Sequence, residues 1–62
     1  MDKNEYPYME LEKMLEHFSY ACLLETIAEI AIEDRENLGK HCTDVGDVIA
    51  NAACDIRTAL QD

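Results

Sequence analysis

Residues 9–38 contain neither glycine nor proline, and their apolar positions recur with a helical period. At about 100° per residue, Leu11, Met14, Leu15, Phe18 and Cys22 fall on one side of a helix. Tyr20, Leu24, Ile27, Ala31 and Leu38 fall on roughly the opposite side, with Leu23 and Ile30 beside them. The side that is apolar early carries Glu25, Glu29, Glu33 and Glu36 later. One straight helix with two opposed apolar faces needs two different covers.

The pattern predicts an all-α chain and a single helical-hairpin domain over residues 1–62. Residues 1–7 read as a flexible arm, with Pro7 suited to a first helical turn. A first helix spans about residues 8–38, some 45 Å at 1.5 Å per residue. Residues 39–43 form the turn, with Gly39 where a helix end takes positive φ. Thr43 or Asp44 caps a second helix, about residues 44–60. Its stripe is Val45, Val48, Ile49, Ala52, Ile56, Ala59 and Leu60. A short connection makes the two helices antiparallel neighbours.

The second helix is too short to cover all of the first. It reaches only the back half, where Leu24, Ile27, Ala31 and Leu38 match its stripe. The front half projects beyond the hairpin, and monomers tend not to expose such a contiguous apolar patch. The favoured solution keeps the first helix straight and pairs two front halves in a homodimeric four-helix bundle. The interface is then Leu11, Met14, Leu15, Phe18 and Cys22. The other solution breaks the helix near Ser19, which has the chemistry of a cap, although no glycine or proline marks a turn there.

Composition narrows the partners. The chain has 62 residues, 14 acidic against five basic, and a formal net charge of -9. Phosphate affinity comes from lysine and arginine, so direct nucleic-acid binding is not expected. Anionic membrane surfaces are disfavoured for the same reason. A basic protein surface is the natural partner class, and strong net charge also keeps a small protein soluble. The three cysteines, Cys22, Cys42 and Cys54, are too few and odd in number for a disulfide framework. With no secretory pattern at the N-terminus, a reducing cytoplasm is expected.

Candidate chemistry is sparse. Glu25, Glu29 and Glu33 stand at i, i+4 spacing, and Glu36 continues the row. Like charges so spaced cost about 0.2–0.5 kcal/mol per pair. The row is a solvated face or an acidic partner-binding face. A carboxylate metal bundle pairs glutamate with a Glu-x-x-His motif. Here Met14 stands three residues before His17, so the motif is absent. His41, Cys42 and Cys54 lack zinc-ligand spacing. Cys42, in the turn, reads as an exposed, oxidisable thiol. No catalytic residue, cofactor or metal site is predicted.

The leading expectation is a non-enzymatic, homodimeric regulator or inhibitor that occludes a basic surface through its glutamates. Its sharper form is a phage-type inhibitor whose carboxylates stand in for nucleic-acid phosphates. The first alternative is a structural dimerisation or assembly adaptor using the apolar front half of the first helix. The second is a small metal-binding bundle.

Overall fold

The computed structural model describes residues 5–61, all-helical and without a strand among them. Helix α1 is Tyr6–Leu15, α2 is Tyr20–Glu33, α3 is the single turn Arg35–Leu38, and α4 is Cys42–Leu60. A 3-10 turn, Gly39–His41, joins α3 to α4. Residues 1–4 of the expected arm lie outside the described residues, whereas Pro7 occupies the first turn of α1.

The single helix expected over residues 8–38 is interrupted twice. At the first break, the Glu16 and His17 amides bond the Lys13 and Met14 carbonyls at 3.2 and 3.0 Å, tightening the end of α1. Ser19 then turns extended, and its Oγ accepts the Cys22 N–H at 3.1 Å. The hydroxyl satisfies an amide that a helix start would otherwise leave orphaned. The second break is at Asp34 (φ -87, ψ 73). Its Oδ1 accepts the Asn37 backbone N–H at 3.1 Å, and both carboxylate oxygens accept from Asn37 Nδ2. Neither break uses glycine or proline. Each needs only a short polar side chain able to replace a lost backbone bond.

Helices α2 and α4 pack along their length and run antiparallel. Gly46, early in α4, lies against Ala28 and Ile32, late in α2. Arg57, late in α4, pairs with Glu25, early in α2. A Cβ at Gly46 would stand 2.3 Å from Ile32 Cγ1 and 3.1 Å from the Ala28 carbonyl oxygen. Glycine is therefore what lets the two backbones approach here. The buried side chains agree with a close crossing: Ala21, Ala28 and Ala31 on α2, Cys42 and Ala53 on α4. Leu24, Val45, Ile49, Ala52 and Ile56 are half-buried around them.

This core differs from the one expected. Ala28 is 3 % exposed, whereas Ile27 is 42 % exposed and faces away from α4. Val48 and Leu60, assigned to the α4 stripe, are open to solvent. Helix α4 begins two residues earlier than expected, with His41 as N-cap and no side-chain cap bond, so neither Thr43 nor Asp44 caps it. Cys42 is its first residue and is buried, not exposed. Gly39 does take positive φ, at 57°. The chain forms a plate of 34 × 33 × 18 Å with a radius of gyration of 13.1 Å. A compact domain of this length would have about 10.5 Å.

Candidate functional site

Helix α1 buries none of its residues. It ends where the chain turns, so its apolar face is carried round to the outer side of α2. Leu11, Met14 and Phe18 thereby form one wall of an open groove of about 290 Å³. Cys22, Leu23, Thr26, Ile27 and Ile30 of α2 form the rest. Among the described residues no charged side chain lines it. The Thr26 hydroxyl donates to its own helix at the Cys22 carbonyl, 3.0 Å away, so the one polar side chain in the lining is already partnered. Phe18 is 52 % exposed and Ile30 60 %.

Four of the five expected interface residues, Leu11, Met14, Phe18 and Cys22, come together here with residues expected on the opposite face. The break at residues 16–19 resets the helical phase, so two faces opposed on a straight helix become walls of one groove. Leu15 departs from the set. It is half-buried on another side of α1, beside Tyr8, Leu11 and Tyr20.

Two of the four glutamates, Glu29 and Glu33, sit along one edge of the groove. Glu29 and Glu33 border a shallow depression with Thr26, Ile30 and Ile32, and Thr26 and Ile30 belong to the apolar groove as well. Both glutamates are exposed. Glu25 is spent differently: its carboxylate accepts from the Arg57 guanidinium across the α2–α4 seam. That bond holds the Glu25 pKa below the usual glutamate range and raises that of Arg57. Glu36 does not continue the row, because the Asp34 break places it on α3. The Asp34 carboxyl is held below its ordinary range, first by the Asn37 side-chain bond and then by the Asn37 backbone N–H.

Sequence reasoning missed Gly46, Ala28 and Ala53. An alanine–glycine row at helical spacing was the available signal, and it was outweighed by the larger apolar residues. All three cysteines are free thiols: Cys22 half-buried at the groove, Cys42 buried, Cys54 exposed. Among the described residues no three His, Cys, Asp or Glu side chains gather as a metal site, and no helix is long and apolar enough to cross a membrane. Comparisons with protein-family models, with curated proteins and with solved structures find no match for this chain.

Proposed function

We propose that this chain is a non-enzymatic, cytoplasmic protein-binding regulator that acts by covering a basic surface on a partner protein. The observation that carries the reading is the open apolar groove between α1 and α2, bordered by Glu29 and Glu33. Apolar contact supplies the bulk of the affinity in such a surface, while charge steers the encounter and selects the partner. The net charge of -9 favours basic proteins over nucleic acids or anionic membranes. A mimic of nucleic-acid phosphates would need no uncharged groove beside its carboxylates, so docking through the groove is preferred over pure phosphate mimicry.

The same groove favours a second reading. Two chains pairing through Leu11, Met14 and Phe18 would form a homodimeric helical bundle, and the protein would serve as an assembly adaptor. Sedimentation under reducing conditions at low and high salt separates the two. The regulator reading, taken here in a monomeric form in place of the homodimer expected from the sequence, expects a monomer whose groove binds an environment-sensitive apolar dye, with dye binding lost in Phe18→Asp. The adaptor reading expects a dimer that Phe18→Asp converts to monomer.

A further inference from the structure

We infer that the occupant of the α1–α2 groove is a basic amphipathic helix of a partner protein, an inference that rests on the regulator reading above. Three features of the surface select this ligand. The α2 wall of the groove runs from Cys22 to Ile30, about 12 Å at 1.5 Å per residue, with Leu11, Met14 and Phe18 facing it. Side chains at i, i+3, i+4 and i+7 of a docked helix fill such a channel, and the uncharged lining accepts only their apolar face. The acid is confined to a definite place: Glu29 and Glu33, one turn apart, stand beside Thr26 and Ile30 on the groove's edge. Lysines or arginines one turn apart on the ligand helix meet that edge, so charge fixes which way round the helix lies. Among the described residues neither glutamate bonds another side chain, whereas Glu25, the next acid along α2, is already paired with Arg57.

Charge also disfavours a second copy. Each chain carries -9, and a symmetric pair would join two such charges at a groove whose edge is itself acidic. Like charges brought together across an interface oppose association. A basic helix removes that conflict, and its ordering on binding is offset by burial of Phe18, Ile27 and Ile30.

The test is an anisotropy titration of the full chain with three labelled 18-residue peptides. The first has leucines at i, i+3, i+4 and i+7 flanked by lysine and arginine. The second keeps the leucines and replaces the basic residues with glutamate. The third scrambles the first. The first peptide is expected to bind one-to-one, about 10-fold or more tighter than the others, and to weaken with salt. Phe18→Asp should lower its affinity about 10-fold. The pair Glu29→Lys with Glu33→Lys should lower it about 5-fold, and Val48→Asp on α4 should leave it unchanged. Equal binding of the scrambled peptide would overturn the inference, since charge alone would then suffice. So would insensitivity to Phe18→Asp in a variant with unchanged helicity. Failure of all three peptides to bind a monomer with a dye-accessible groove would remove the basic helix as ligand and leave the occlusion reading standing. A chain that sediments as a salt-stable dimer with a dry groove would overturn both, with the second copy as occupant.

Discussion

Helices α1 and α4 are both amphipathic, yet they are held by different means. Helix α4 is clamped on α2 through residues with almost no side chain: Gly46, Ala53, Ala28 and Ala31. Helix α1 carries much larger apolar side chains and buries none of them. Hydrophobic content therefore does not say which helix belongs to the core. Small residues allow close backbone approach and many dispersion contacts per unit of surface. Large residues left open on α1 are available for association. One end of the molecule is closely packed and the other leaves its large apolar side chains open.

Overfilling the seam should break this contrast most severely. Ala28→Ile or Gly46→Val would force bulk into a crossing with no room and should cost about 1–3 kcal/mol, read as a lower urea midpoint by circular dichroism. For a domain this small, that is a large share of its stability. Ile27→Ala, one residue away but facing the groove, should cost only about 1 kcal/mol because the side chain is 42 % exposed. A larger loss for Ile27→Ala than for Ala28→Ile would invert the assignment of the two faces.

The hinge between the two regions should respond next. Ser19→Ala removes the cap on α2 and should cost about 1 kcal/mol. The loss should show as faster amide exchange at Cys22, whose N–H the hydroxyl accepts, with exchange at Ala53 little changed. Gly39→Ala should cost about 1–3 kcal/mol, because φ 57 with ψ -130 is a conformation essentially confined to glycine. Open space surrounds the site, but φ of 57° disfavours an L side chain.

Acid should produce the smallest effect. Asp34 and Glu25 both have lowered folded-state pKa values. Their contribution is present at neutral pH and is lost as pH falls through those lowered values, below about pH 4. Glu25 is exposed and Asp34 only half-buried, so only a shallow acid limb is expected in a stability-versus-pH profile, and Asp34→Asn should flatten it further. A steep loss of stability between pH 6 and 8 would contradict this ordering.

Much was legible in the chain itself. The helical period, the acidic balance, the positive φ at Gly39 and the exposure of Leu11, Met14 and Phe18 follow from residue type and spacing. Periodicity fixes the angle between two side chains only within an uninterrupted helix. A capping hydroxyl at Ser19 and a carboxylate at Asp34 are worth about 1 kcal/mol each, too little for the local sequence to announce a break. The break brings Met14 and Phe18 to line one groove with Leu23 and Ile27, residues on roughly opposite sides of a straight helix. Once the phase is reset, so is the surface, and the apolar and acidic faces that looked separate become the floor and edge of one groove. Which side of α2 meets α4 was likewise a tertiary decision. Large apolar residues dominate a hydropathy pattern, whereas the distance between two helix axes is set by the smallest residues at their crossing.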